Sequence, residues 1–123
     1  MSDTAIQRFD HIAIAVENLD ASIALFESVF GLKAHHREEI PGSGVTIATI
    51  AIRDTEIELV QGTTPDSPIT KFVGSRGPGL HHIAFEVLEW AEIRKATDFL
   101  ALNKIHLVWG PGRHVIGHNV ATY

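Results

Sequence analysis

One short apolar pattern occurs twice in this chain, as RFDHIAIAV from Arg8 to Val16 and as GPGLHHIAFEV from Gly77 to Val87. The copies stand about seventy residues apart, and each is followed by a stretch of helical periodicity. A chain that repeats a strand and its following helix is constrained to a fold in which the two copies occupy related positions. Lining His11 up with His82 also aligns Ile12 with Ile83, Ala13 with Ala84 and Val16 with Val87.

The segments between the copies complete the unit. After the first strand, ENLDASIALFESVFGL offers Asn18 or Asp20 as a cap, and Leu19, Ile23, Phe26 and Phe30 at helical spacing. Gly31 stands where a helix stops. Extended segments follow at KAHHREEI, at VTIATIAI after the turn-forming PGSG, and at TEIELV after the turn-favouring RD. Module one is thus βαβββ over about residues 9–62, and a linker over 63–79 contains DSPITKFV. There Ser67 as cap and Pro68 at the first helical position predict one or two helical turns. Module two, about 80–123, restarts with a strand to Val87 and a helix from about Glu89 to Asn103 bearing Trp90, Ile93, Thr97 and Leu100 on one face. Extended segments at IHLVWG and HNVATY follow, and the second copy reads as lacking the counterpart of the last strand of the first.

Composition narrows the function classes. An apolar fraction of 45% with 20% charged residues supports a core within one domain of 123 residues. The net charge of −5 gives no electrostatic footprint for nucleic acid or an anionic membrane, so a small-molecule substrate is the expected partner. Cysteine is absent, which excludes disulfides and thiolate metal sites and fits a cytoplasmic setting. No basic-then-apolar leader opens the chain, and no apolar run reaches bilayer length.

Eight histidines are many for so short a chain, and their placement carries the chemistry. Strand alternation puts His11 on a face with Phe9, Ala13 and Ala15, and His82 on one with Leu80, Ala84 and Glu86. The opposite faces, Ile12, Ile14 and Val16 in one copy and Ile83, Phe85 and Val87 in the other, are bulky and are expected to pack against helices. The alanines then leave room for a cavity. In TEIELV, Glu56 and Glu58 share a face, which sends at least one carboxylate to the concave side. Two imidazoles and a carboxylate converging there suit a divalent ion with an open position, whether Zn, Ni, Co, Mn or Fe. Alternation sends His81 across the strand from His82, towards the bulky side or a strand-end hydrogen bond, in a structural role. His35 and His36 read as part of a solvated edge strand, and the phase of His106 is open.

The stretches FDHIAIAVENLDASIALFESVFGL, DTEIELVQG and DSPITKFVGSRGPGLHHIAFEV resemble the vicinal oxygen chelate (glyoxalase, bleomycin resistance and extradiol dioxygenase) superfamily, above all methylmalonyl-CoA epimerases. The likeness covers Phe9 to Val87. It implies an α+β fold of tandem βαβββ modules forming a cupped, partly open mixed-sheet barrel, and a metal held by His11, Glu58 and His82, with a fourth ligand expected beyond Tyr123. It further implies proton abstraction with a metal-stabilised enediolate. In some bacterial epimerases one acid-base group is a Glu on the third strand, where this chain has Ile47.

The tail WGPGRHVIGHNVATY is more similar to extradiol dioxygenases and related glyoxalase-like proteins. That similarity implies substrate contacts from Arg113 and His118, with His114 nearby. Alternatives to an epimerase are therefore a dioxygenase-like or glyoxalase I-like enzyme, or an antibiotic-sequestering binding protein that needs no metal. The buried imidazoles argue against the last, because an apolar cleft gains nothing from desolvating them. A homodimer is expected, since the unfinished second sheet needs cover.

Overall fold

The structure is a computed structural model and describes residues 6–87 and 90–105. In chain order its elements are β1 (Ile6–Ala15), α1 (Leu19–Phe30), β2 (Ala34–Ile40), β3 (Val45–Ile52), β4 (Thr55–Gly62), α2 (Pro68–Arg76), β5 (Gly79–Val87) and α3 (Trp90–Leu102). The strand order is β2-β3-β4-β1-β5. β1 runs parallel to β4, while β2 with β3 and β3 with β4 are antiparallel. The α+β class and the first βαβββ unit are as the periodicities predict. The later strands of the second unit, with His106, Arg113, His114 and His118, lie outside the described residues.

By their contacts the described residues fall into two compact units, one of residues 11–82 and one of residues 6–10, 83–87 and 90–105. In the first, local chemistry sets the helix ends. Asn18 is extended and its side chain accepts from Ala21 N at 2.9 Å, which opens α1. Gly31 closes it in the left-handed region at φ 67, its N–H donating to the carbonyl of Glu27. Ser67 caps α2 through Ile69 N at 3.2 Å, with Pro68 in the first turn. This helix runs to Arg76, further than the sequence predicted, because Ile69, Phe72 and Val73 find a core to pack against.

The sheet of this unit separates two cores. Val16, Leu19, Ala48, Ile50 and Leu59 form one, with Ile14 of β1 and Ile23 and Phe26 of α1 against it. Ala15, Val45, Ile47, Val60 and Ile69 form the other, covered by Phe72 and Val73 of α2. The bulky face of β1 packs as predicted, but part of its alanine face does not open on a cavity. Ala15 is fully buried beneath α2, because a methyl side chain lets the helix approach. Gly62 serves the same approach: a Cβ there would come within 2.6 Å of the backbone nitrogen of Thr70.

In the second unit Arg8 is paired with Glu86 and, at 2.5 Å, with Asp10. Phe9 stands edge-on to Phe85, with ring centroids 5.2 Å apart. Ile83 and Phe85 each remain 43% exposed while Ala84 is buried, so the bulky face of β5 is less covered than its alternation predicts.

Candidate metal centre

Strand register assembles the site within residues 11–82. On the parallel β1–β4 pair, His11 lies opposite Glu56 and Ala13 opposite Glu58. Strand phase leaves both glutamates on the face of His11, but their neighbours separate them. Glu58 lies beside Ala13, whose methyl leaves space above it, and its Oε2 leans diagonally to His11 Nε2 at 3.0 Å. Glu56, on the same face, has its Oε1 3.5 Å from Nε2 of His35 on β2.

His82, on β5, brings its Nε2 to within 3.2 Å of His11 Nε2, the rings standing 5.3 Å apart at 75°. The donor atoms of His11, Glu58 and His82 all lie within 4.8 Å of one another. His11 is 8% exposed, and the Glu58 side chain 13%. The structure thus brings together the three residues named from sequence and leaves Glu56 out of their cluster.

The donor set fits a divalent ion on its own chemistry. Two donors each about 2.1 Å from one centre stand about 3.0 Å apart at a right angle and about 3.4 Å apart at a tetrahedral angle. The separations of 3.0 and 3.2 Å at His11 Nε2 fall in that range. Two neutral imidazoles with one carboxylate suit first-row divalent metals and leave positions for other ligands.

His81 takes the strand-end hydrogen bond that the sequence left open to it, with His82 itself as the partner. Alternation sends it across the strand, yet its Nδ1 meets His82 Nδ1 at 2.8 Å and its ring stands edge-on to Phe72 of α2, centroids 4.8 Å apart. Among the described residues β5 is last in the strand order, and the Phe72 ring of α2 stands against the His81 ring. Partial burial without a compensating charge lowers the His81 pKa from its ordinary 6.5 and favours the neutral ring.

The edge-strand histidines are solvated as predicted, with side-chain exposures of 48% for His35 and 54% for His36, but each has a carboxylate partner. His36 Nε2 lies 3.1 Å from Glu38. The His35–Glu56 pair has no signature in strand phase, because it depends on the irregular register between Ala34 and His36. Ile47, at the position where a carboxylate is implied for some epimerases, is 8% exposed inside the apolar cluster under α2.

A mixed α+β sheet carries a cluster of two histidines and one carboxylate that could hold a metal ion. The chain belongs to the glyoxalase/bleomycin resistance protein/dioxygenase superfamily, whose model matches residues 8–122. Among its relatives, the ethylmalonyl-CoA/methylmalonyl-CoA epimerase of Cereibacter sphaeroides is 37% identical over 84 residues, which is 67% of this chain and 62% of that protein. The mitochondrial methylmalonyl-CoA epimerase of Dictyostelium discoideum is 36% identical over 105 residues, 84% of this chain and 61% of that protein. Streptomyces coelicolor methylmalonyl-CoA epimerase in complex with 2-nitronate-propionyl-CoA superposes with a TM-score of 0.73 at 28% identity, over 91% of this chain and 81% of that one. The chain spans from about one third to about three fifths of the length of the curated relatives it matches, 34% to 62%.

Proposed function

We propose that this chain carries the metal-binding part of an epimerase-type enzyme, which removes and returns the proton α to a carbonyl on a small acyl thioester. The observation that supports the reading is the cluster of His11, Glu58 and His82, with donors at mutual distances that suit one divalent ion. Such an ion, when bound, supplies a Lewis acid for the negative charge that builds on the substrate oxygens as the proton leaves.

Proton transfer also needs a base on the same face. Ile47 cannot serve, being apolar and packed under α2. Glu56 is the candidate: it shares the face of Glu58, lies opposite His11 in the register, and keeps 44% of its side chain exposed. Its contact with His35 gives it a partner that can hold or pass on a proton. Epimerisation requires a second acid-base group on the other side of the carbon. Arg113 and His118 enter this reading as substrate-binding residues from outside the described residues, and a homodimer in a cytoplasmic setting belongs to it as well.

The test is exchange of the α-proton of methylmalonyl-CoA in deuterated water, followed by mass spectrometry, on protein loaded with cobalt(II) or zinc. Wild type is expected to exchange. His82→Ala and Glu58→Gln should lose both metal and exchange, and Glu56→Gln should keep the metal while exchange falls about 100-fold or more. A metal-loaded wild type that exchanges no α-proton overturns the reading.

A second reading has one observation behind it, because two histidines and one carboxylate are also the donor set of non-haem iron(II) oxygenases. Oxygen uptake by the iron(II)-loaded protein with a catechol distinguishes it from proton transfer.

A further inference from the structure

His82 has two ring nitrogens, and both face another histidine. Nε2 meets His11 Nε2 at 3.2 Å inside the donor cluster, while Nδ1 meets His81 Nδ1 at 2.8 Å. Two imidazole nitrogens at that separation share one proton, so one donates and the other accepts. For Nε2 of His82 to keep a lone pair for an ion, the single proton of its neutral ring must sit on Nδ1. His81 Nδ1 is then the acceptor, and the proton of His81 is placed on its own Nε2.

The His81 ring is itself held. It stands at 75° to the Phe72 ring with centroids 4.8 Å apart, Phe72 packs against the core under α2, and the Arg76 guanidinium lies 5.7 Å from the Phe72 centroid. A histidine that ligates a metal is aimed, and its tautomer set, by whatever binds its other nitrogen. That partner is commonly a carboxylate or a backbone carbonyl; here it is a second imidazole from the adjacent residue.

We propose that His81 is a positioning residue of the metal centre: its Nδ1 accepts the Nδ1–H of His82, which fixes the ring and leaves Nε2 as ligand, while Phe72 of α2 holds His81 in place. The proposal rests on the reading of His11, Glu58 and His82 as a metal centre. It also links α2 to the ligand, since Phe72 of that helix stands against His81 and His81 against His82. A neutral imidazole acceptor raises the basicity of His82 less than a carboxylate would, so the centre is built to hold its ion less tightly than one with an Asp or Glu in that place.

Two variants and two measurements test this. His81→Phe keeps an aromatic ring for Phe72 and removes the acceptor, whereas His81→Gln restores an acceptor oxygen without the ring. Titration with cobalt(II) should give an affinity lower by about 10- to 100-fold for His81→Phe, with His81→Gln recovering much of the loss. Nitrogen-15 spectra of the metal-free protein, labelled at histidine, should place the His82 proton on Nδ1 in wild type and His81→Gln, and spread it over both nitrogens in His81→Phe.

Wild-type affinity together with a wild-type His82 tautomer in His81→Phe overturns the proposal. So does an equal loss in both variants with the tautomer unchanged, which is the pattern of a merely structural role. If no variant or wild type binds cobalt(II), the metal reading fails. The tautomer spectra, which need no ion, then decide the hydrogen bond separately, and a wild-type His82 proton on Nε2 counts against it.

Discussion

The two faces of the sheet in residues 11–82 are built from the same four strands and do different work. Under α1 the centre of the face is apolar: Ile14, Ala48, Ile50, Ile57 and Leu59 pack with Leu19, Ile23 and Phe26, while Gln61 accepts from Leu19 N and Arg37 of β2 pairs with Asp20 at the margin. Under α2 the face is divided. One end is apolar, with Val45, Ile47, Val60 and Ile69; along the same alternation the other end carries Thr49, Glu56, Glu58 and His11. One-residue alternation separates the faces, whereas position along the strand separates support from chemistry. α1 can therefore be altered with consequences for stability alone, but α2 covers the end of the face that continues into the donor cluster.

The largest expected effect lies on the α1 side. Leu59 is fully buried, and Leu59→Ala should lower stability by roughly 2–5 kcal/mol through lost transfer energy and the cavity left behind. Urea unfolding measures it. Cobalt(II) stoichiometry per folded molecule should stay at the wild-type value, and a loss of binding sites among molecules that remain folded would break the separation of the two faces.

Gly62→Ala attacks the α2 side. The added Cβ meets the Thr70 backbone nitrogen at 2.6 Å, so helix or strand must shift, at a cost of about 1–3 kcal/mol for overpacking. Here metal affinity should fall along with stability, because α2 carries Phe72 and Phe72 supports His81. Gly62→Ala with weakened folding and unchanged cobalt(II) affinity would mean that the two ends of this face are independent.

How much of this could be read beforehand follows from the range of the interactions. The caps at Asn18, Gly31 and Ser67 were legible because they are settled within a few residues. The pairing of His11 with His82 was legible because the repeat places both on small-residue faces. Glu58 could not be told from Glu56 by phase, since the choice depends on the side chain beside each one, Ala13 for Glu58 and His11 for Glu56. A strand-end hydrogen bond of His81 was legible, but not that its partner would be His82, for a similar reason. Alternation describes Cβ directions, whereas a ring at the end of two rotatable bonds follows its packing partner, and Phe72 arrives from a helix outside the strand pattern.

The helix caps extend the comparison to smaller effects. Asn18→Ala removes the acceptor for Ala21 N and should cost about 1 kcal/mol, read from urea midpoints, with cobalt(II) affinity unaffected because the cluster that α1 packs on holds none of His11, Glu58 and His82. An accompanying change in affinity would show that the α1 side reaches the donor cluster.

On the α2 side the matching lever is Asp66, next to the cap Ser67. Its carboxyl is held below the ordinary 3.8, first by the Thr64 side chain, then by its own backbone and by the charge of Lys71. The folded state therefore prefers the ionised form more than the unfolded chain does, and the unfolded chain binds more protons as pH drops. The contribution is present in full above the unfolded pKa of about 3.8 and is lost as pH falls through the lower folded value. Because Asp66 is fully exposed, the effect should be the smallest of the four and should shrink further with added salt. Asp66→Asn removes this titration. The gap in urea midpoint between wild type and variant should narrow between about pH 6 and about pH 2.5, and a gap that stays constant over that interval would remove Asp66 as a pH-dependent support of α2.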